Sequence, residues 1–150
     1  MSLVILVSIM ETLGGALRHS NAASAKRAGT VFHNDIRGRF NRGEPGVVHA
    51  MSRCAALASE AREALLAGDA ERFGHCIDEN FEQRRSIYTL PERQVQMVEL
   101  AGQCGARAHF AGSGGAIVGT YRDDAMLHEL ETSLGRIGCR VHRPIVLPES

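Results

Sequence analysis

The spacing of apolar residues predicts three consecutive helices in the middle of the chain. Apolar positions recur at helical spacing over Val47–Leu65, and Gly68 follows where a C-terminal glycine ends a helix. Asp69 can cap a second helix. The apolar stripe of this second helix is predicted to consist of Phe73, Ile77, Phe81 and Tyr88. Pro91 suits the first turn of a third helix, which Gly105 closes.

Shorter apolar runs on either side of these helices predict four strands. The stretch Leu3–Met10 is rich in Val and Ile and predicts a buried strand. The segments ARAHFAG and AIVGTY predict two strands around a glycine-rich loop, and CRVHRPIVL predicts a last strand. Pro144 favours an edge position or a bend for that strand. A helix capped by Asp123 or Asp124 precedes it, and a short helix is predicted over 31–41.

The order of these elements favours an α+β fold. A strand, a long loop, several helices, two strands around the glycine loop, a helix and a last strand follow one another. Helices on one face of a small, largely antiparallel sheet fit this order. Its last part is typical of a ferredoxin-like split β-α-β arrangement. We expect residues 1–30 to form an N-terminal strand and a flexible loop, ahead of a domain over residues 31–150.

The balance of basic and acidic residues argues against two classes of binding partner. The 150 residues include 17 basic and 17 acidic ones, whereas proteins that bind nucleic acid or anionic membranes usually carry a basic excess. We therefore expect neither a nucleic-acid nor a membrane partner. Leu3–Met10 lacks a positively charged flank and is shorter than the roughly 20 residues that span a bilayer, which favours a cytoplasmic protein.

The cysteines and histidines do not form a recognisable metal motif. Four cysteines, none in a C-x-x-C pair, each lie in or beside an apolar segment: Cys54, Cys76, Cys104 and Cys139. We expect them to be buried, reduced thiols rather than disulfides or zinc ligands. No metal-ligating residue is predicted.

The segment HFAGSGGAIVG, from His109 to Gly119, allows two interpretations. Glycine lets backbone N–H groups approach an anion closely, and Ser113 adds a hydroxyl donor, so the loop can hold a phosphate. The loop is neither a P-loop nor a G-x-G-x-x-G motif, and a strand follows it rather than a helix. By spacing alone, a tight turn between two strands is favoured. The candidate phosphate-binding residues are Gly112, Ser113, Gly114 and Gly115.

The residues GARAHFAGSGGAIVG resemble the third conserved motif of the GHMP small-molecule kinases. ENFEQRRSIY, at Glu79–Tyr88, resembles the helix that precedes this motif in the family. GTVFHNDIRGRFNRGE, at Gly29–Glu44, resembles the segment that opens the C-terminal half in the sugar-1-kinase branch, to which glucuronokinase and arabinokinase belong. The resemblance covers nearly the whole chain. It implies the GHMP kinase C-terminal domain fold for residues 31–150.

The resemblance also implies ATP-dependent phosphoryl transfer to a sugar hydroxyl, with ATP and Mg²⁺ as cofactors. The loop Gly112–Gly115 would then lie beside the nucleotide phosphates. The family's phosphate loop and its usual catalytic Asp and Lys belong to an N-terminal half without a counterpart in this sequence, so no catalytic residue is assigned. Where the family often has Lys and then Ser or Thr before the glycines, this chain has His109 and Ala111. A neutral histidine is a weaker phosphate partner than lysine.

Two pairs of polar residues are candidates for substrate binding. Asn80 and Arg84 are i, i+4 neighbours on one predicted helix, and Arg can bind a carboxylate with both arms of its fork. The alternative is a solvated face on which the basic residues pair with neighbouring glutamates. His33 and Arg37 lie in a polar cluster and are candidate substrate contacts, with solvated helix residues as the alternative.

Two functional hypotheses from different classes follow. The first is the C-terminal domain of a GHMP-type sugar kinase, whose partners are the sugar and an N-terminal kinase half, with little or no turnover expected from this chain alone. The second is a free-standing, non-catalytic α+β binding or dimerisation module, which self-associates through the face that the other half would cover. RNA binding through RGRFNRG is a third and weaker hypothesis.

Overall fold

The computed structural model describes residues 2–9, 35–111 and 115–143 of the chain. Its helices are α1 over residues 35–41, α2 over Pro45–Ala67, α3 over Ala70–Ile87, α4 over Glu92–Gln103 and α5 over Asp124–Gly135. Its strands are β1 over Ser2–Ile9, β2 over Arg107–Phe110, β3 over Ala116–Tyr121 and β4 over Cys139–His142. Each of these elements was predicted from the sequence, and the ends differ by a few residues.

The four strands form one antiparallel sheet in the order β2-β3-β1-β4. The α+β fold and the ferredoxin-like split β-α-β arrangement are therefore confirmed. β4 lies at one edge, as predicted for the last strand, while Pro144 lies outside the described residues. β1 pairs with both β3 and β4 and so belongs to the same sheet as the C-terminal strands. The division of the chain at residue 30 stays a prediction.

The main core lies between one face of the sheet and helices α3, α4 and α5. Its members include Phe81, Met97, Ala101, Phe110, Ile117, Tyr121, Leu130 and Leu134. Alternation along β2 explains the strand side of this core, because Ala108 and Phe110 are buried on it while Arg107 and His109 point to the opposite face. The core thus leaves the other face of β2 and β3 available for a site.

Helices α2 and α3 form an antiparallel hairpin, with the turn at Gly68 and Asp69. Gly68 adopts the left-handed conformation with φ 68°, and the Asp69 carboxylate accepts a hydrogen bond from the backbone N–H of Arg72, as predicted for both residues. Farther along the hairpin, Arg53 donates to Glu79 at 2.6 Å. This ion pair ties α2 to α3 near the middle of the hairpin.

One predicted apolar stripe differs from the structure. Phe81 is buried in the main core, but Phe73 and Ile77 are only half-buried, and Tyr88 is the residue that follows the last helical turn of α3. Tyr88 instead packs against a second, smaller core of Ile36, Val47, Ala50 and Ile87. The stripe is divided because α3 packs against the sheet at Phe81, whereas its C-terminal end packs against α1.

The cysteines agree with the predicted reduced state. All four thiols are free, and Cys76, Cys104 and Cys139 are buried, whereas Cys54 is half-buried. Burial raises the pKa values of Cys54, Cys76 and Cys139, which keeps these thiols protonated near neutral pH. Among the residues that the structure describes, no helix is long and apolar enough to cross a membrane.

Candidate functional site beside the glycine loop

Helix α3 lies along the edge strand β2 and runs in the same direction. Near the start of α3, a Cβ on Gly74 would lie 2.9 Å from the Arg107 side chain, so a larger residue there would force the arginine to shift. Asp78 forms an ion pair with the same Arg107. Farther on, the rings of Phe81 and Phe110 are in contact, with centroids 5.3 Å apart. The last two turns of α3 therefore reach the end of β2, where the glycine loop begins.

Asn80 and Arg84 lie on these last turns and are both half-buried. Their neighbouring glutamates are engaged elsewhere, because Glu79 pairs with Arg53 and Glu82 lies 3.9 Å from Arg85. Within the described part of the chain, neither side chain has a hydrogen-bond or ion-pair partner. Asn80 and Arg84 thus offer an amide and a guanidinium to a ligand at the end of β2.

His109 lies on the face of β2 that points away from the main core. Its Nδ1 lies 2.8 Å from the backbone oxygen of Phe110, while its Nε2 is buried and has no hydrogen-bond partner among the described residues. Burial lowers the pKa of His109, and the nearby positive charge of Arg84 lowers it further, although the Phe110 hydrogen bond acts in the opposite direction. The imidazole is therefore neutral at pH 7.

A groove of about 300 Å³ lies between the α2–α3 hairpin and the outward face of β2 and β3. Asn80, His109 and Thr120 contribute its polar groups. The other lining residues are Leu57, Ala58, Ala61, Phe73, Cys76, Ile77, Val118 and Gly119. Sequence analysis identified Asn80 but not His109 or Thr120 as ligand contacts. The alternation of β2 and β3 places these two residues on one face, but the sequence does not show that α3 lies beside them.

The glycine loop joins β2 to β3 as a hairpin. The backbone N–H of Ala111 donates to the oxygen of Ala116 at 3.0 Å, which closes the base of the loop. Gly115 adopts a left-handed conformation with φ 84°, which favours glycine over any other residue. Gly112, Ser113 and Gly114 lie outside the described residues. Their assignment to phosphate binding stays a prediction.

Of the second pair of candidate substrate contacts, His33 and Arg37, the structure describes only Arg37. Arg37 is exposed on α1, and it does not line the groove. His33 lies outside the described residues. Arg39 takes the structural role in this segment, because it donates to Glu44 at 2.9 Å and to the backbone oxygen of Ile87 at 3.0 Å. α1 is thereby fixed to the end of α3, one turn beyond Arg84.

The residues of the site suit an anion better than a metal ion. The described residues contain no cluster of three or more His, Cys, Asp or Glu side chains that could hold a metal. The guanidinium of Arg84, which is unpaired among the described residues, and the left-handed Gly115 instead match the chemistry of a phosphate or carboxylate. The described part of the site therefore suits an anionic group, either a phosphate of ATP or a carboxylate, and contains no ligand set for Mg²⁺.

Comparison with known proteins identifies the family. The family model "GHMP kinases C terminal" matches residues 61–136, just over half of the 150 residues. The chain belongs to the GHMP kinase family. The matched segment contains Asn80, Arg84, His109 and the complete glycine loop. The resemblance that the sequence motifs indicated is thereby confirmed.

Two curated relatives from Arabidopsis thaliana agree with this assignment. "Probable glucuronokinase 2" is 38% identical over 89 residues, which covers 57% of this chain and 24% of that protein. "Glucuronokinase 1" is 35% identical over 89 residues, which covers 57% of this chain and 25% of that protein. The GHMP kinase chain described here thus matches about a quarter of the length of these relatives.

Solved structures confirm the fold. L. major mevalonate kinase, in a crystal structure with R-mevalonate, superposes with a TM-score of 0.70 at 19% identity, over 91% of this chain and 39% of that one. The Lin0012 protein from Listeria innocua superposes with a TM-score of 0.66 at 14% identity, over 92% of this chain and 38% of that one. The C-terminal GHMP domain fold predicted from the sequence is therefore present.

Proposed function

We propose that this chain is the C-terminal part of an ATP-dependent kinase that phosphorylates an acidic sugar of the glucuronic acid type. The family and the names of the curated relatives support a sugar kinase. The observation that carries the proposal is Arg84, a half-buried guanidinium without an acidic partner in the described structure, at the end of β2. The charge and planar shape of this group suit a carboxylate or a phosphate.

The site divides into two parts in this proposal. Gly112, Ser113, Gly114 and Gly115 lie against the phosphates of ATP, with backbone N–H groups as donors. Asn80 and Arg84 face the sugar, where the amide can pair with a hydroxyl and the guanidinium with the carboxylate. His33 and Arg37 remain further candidate contacts to the sugar.

Phosphoryl transfer needs groups that the described residues do not provide. When bound with ATP, Mg²⁺ neutralises charge on the phosphates as the γ-phosphoryl group moves. We assign no metal ligand and no general base to the described residues. We propose instead that the chain binds and positions its ligands but has little or no turnover until it is joined with an N-terminal half.

Isothermal titration of the chain with Mg·ATP, and then with glucuronate, tests this function. We expect Gly114→Val to abolish ATP binding and Arg84→Met to weaken glucuronate binding by roughly tenfold, the loss typical of a charged hydrogen bond. Arg85→Met is the matched control, because Arg85 is the next residue on α3 and pairs with Glu82 and Glu99. Equal effects of the two arginine substitutions, or no binding of either ligand to a folded chain, would contradict the proposal.

The exposed apolar residues of α2 favour the second hypothesis, a dimerisation module. Leu66 is 73% exposed, and Leu65 and Met51 are also exposed on this helix. Such residues can bury their surface against a second copy. Sedimentation of the unaltered chain and of Leu66→Lys tests the dimerisation module. A dimer that the substitution dissociates supports it. A monomer in both samples excludes it.

A further inference from the structure

The two edges of the sheet differ in how they are covered. Helix α3 lies along β2 and closes that edge, where Asp78 pairs with Arg107. β4 forms the opposite edge, and the described part of the chain places no strand beyond it. An edge strand presents backbone N–H and C=O groups that can pair with a further strand. Among the described elements, only the β4 edge is therefore open to such pairing.

Alternation along β4 places its side chains on two faces. Cys139 is buried in the main core, and Val141 packs against that core. Arg140 and His142 are exposed and lie on the other face. In the antiparallel pair of β1 and β4, every second residue of β4 directs its backbone N–H and C=O away from β1. The edge thus combines free backbone donors and acceptors with two basic side chains.

The segment around β4 carries positive charge and no acidic residue of its own. Residues 136–143, RIGCRVHR, contain three arginines and one histidine but neither Asp nor Glu. Arg136 and Arg140 are exposed, and within the described ranges they have no hydrogen-bond or ion-pair partner. Arg143 pairs with Asp124 at 3.2 Å, but both side chains are largely exposed, so the pair is weak in water. The charge of this segment is therefore available to a partner.

A second copy of this chain is a poor occupant of the edge. Residues that are directly opposite in paired strands lie on the same face of the sheet. Arg140 would therefore face a second Arg140 or a His142, and like charges in these positions are destabilising. Basic side chains on an edge strand also discourage self-pairing in general. In a strand with acidic side chains, carboxylates would instead lie opposite Arg140 and His142.

We propose that the β4 edge binds an extended acidic segment of a partner protein, which joins the four-stranded sheet as a fifth strand. The backbone of β4 supplies the pairing, and Arg140 selects carboxylates at alternate positions, with Arg136 and Arg143 on either side. This surface is at the opposite edge of the sheet from β2, which leads into the glycine loop. Binding there requires neither ATP nor a sugar.

Short peptides with blocked ends test the charge and the strand pairing separately. The acidic probe alternates glutamate and valine over five residues, and the basic probe has lysine in place of glutamate. Each is titrated into the complete 150-residue chain and followed by ¹H–¹⁵N NMR. We expect the acidic probe to shift the amide signals of Cys139–His142 and the basic probe to leave them unchanged.

A third peptide, with proline in place of valine, keeps the acidic charge but lacks the backbone N–H at each proline. We expect it to bind about tenfold more weakly than the acidic probe, the effect of one or two lost hydrogen bonds. Undiminished binding of this peptide would indicate a general anion surface and would overturn strand pairing.

Two arginine substitutions test the role of the side chains. Arg140→Ser should weaken binding of the acidic probe about two- to fivefold, the effect of one exposed ion pair. Arg62→Ser is the matched control, because Arg62 is exposed on α2, outside the sheet, and this variant should bind like the unaltered chain. If Arg140→Ser does not fold, the comparison of the acidic and basic probes on the unaltered chain decides the question.

Amide hydrogen exchange shows whether the edge is free before a peptide is added. We expect alternate amides of β4 to exchange rapidly and to become protected when the acidic probe binds. Protection of all its amides in the unbound chain would mean that another segment of the chain already pairs there. Shifts of these signals with rising chain concentration would identify a second copy as the occupant. Either result would overturn the proposal.

The peptide titrations can also overturn the proposal in two further ways. These are no binding of the acidic probe and equal affinity for the acidic and basic probes. Equal effects of Arg140→Ser and Arg62→Ser in folded variants would remove the role of Arg140. None of these measurements involves ATP or glucuronate, so a failure of the proposed kinase function is distinguishable from a failure of this surface.

Discussion

The rings of Phe81 on α3 and Phe110 on β2 lie with centroids 5.3 Å apart and planes inclined by 59°. Both rings are buried, and the tilted arrangement is favourable for two aromatic groups. The contact fixes the helix that carries Asn80 and Arg84 against the strand that leads into the glycine loop. The candidate site thus depends on a packing contact that touches no ligand.

Phe81→Ala is expected to lower the free energy of unfolding by about 3–5 kcal/mol, because it removes a buried ring and leaves a cavity. Phe40→Ala is the matched control. Phe40 is 45% exposed, so its substitution should change stability by less than about 0.5 kcal/mol. Urea unfolding followed by circular dichroism measures both. A loss of similar size in the two variants would show that the Phe81–Phe110 contact does not carry this stability.

Gly119→Ala is expected to disrupt the pairing of β2 and β3. A Cβ at Gly119 would lie 2.2 Å from the backbone oxygen of Arg107 and 3.0 Å from Cα of Ala108, so the strands must separate. We expect a loss of about 3 kcal/mol or more, at the upper end for overpacking. A Cβ at Gly102 in α4 meets nothing within 4 Å, and Gly102→Ala should stabilise by about 0.5–1 kcal/mol. Thermal unfolding of the two variants measures both changes in stability, which should have opposite signs.

The stability of the chain should fall as the pH drops below 6.5, with His109 as one cause. Burial lowers the pKa of His109 in the folded state, so the unfolded chain binds its proton first. Stability from this group is complete above the unfolded pKa of about 6.5 and is lost as the pH falls toward the folded value. Unfolding in urea at pH 7.5 and pH 5.5 should give a smaller difference for His109→Leu than for His128→Leu. An unchanged difference in His109→Leu would rule out this source.

The ion pair between Arg53 and Glu79 should add a second loss of stability at more acidic pH. The hydrogen bond from Arg53 lowers the pKa of Glu79, so this group stabilises the fold above its unfolded pKa of about 4.5. That contribution is lost as the pH falls through the lower, folded pKa. Arg53→Met should therefore lose stability at pH 6 and approach the parent at roughly pH 3. Arg62→Met, at an exposed position of the same helix, should follow the parent at both pH values.

The parts of the fold that were predicted correctly are those with local causes. Asp69 and Asp123 cap their helices through their own side chains, and the turn at Gly68 needs only its own backbone conformation. The strands β2 and β3 were predicted because apolar alternation stops at the glycine loop. Each of these signals lies within a few residues of the feature that it specifies.

The parts that were missed depend on how distant elements pack. Tyr88 has the helical spacing of a stripe residue, but the chain leaves the helix at this position and turns toward α1. His109 was weighed only as a phosphate partner, because the sequence does not show that α3 lies along β2 and closes a groove over the ring. The groove exists only when the α2–α3 hairpin and the sheet are both present. No pattern within one segment specifies it.

The central position of β1 has a consequence for the time order of folding. The ribosome makes Ser2–Ile9 before the partner strands β3 and β4, which begin at Ala116 and Cys139, more than one hundred residues later. At about 5–20 residues per second, the segment SLVILVSI remains without its strand partners for several seconds or longer. During this interval it is an apolar strand with free edges, which is the kind of segment that aggregates or is held by chaperones. The α2–α3 hairpin, whose contacts are local, can form in the meantime.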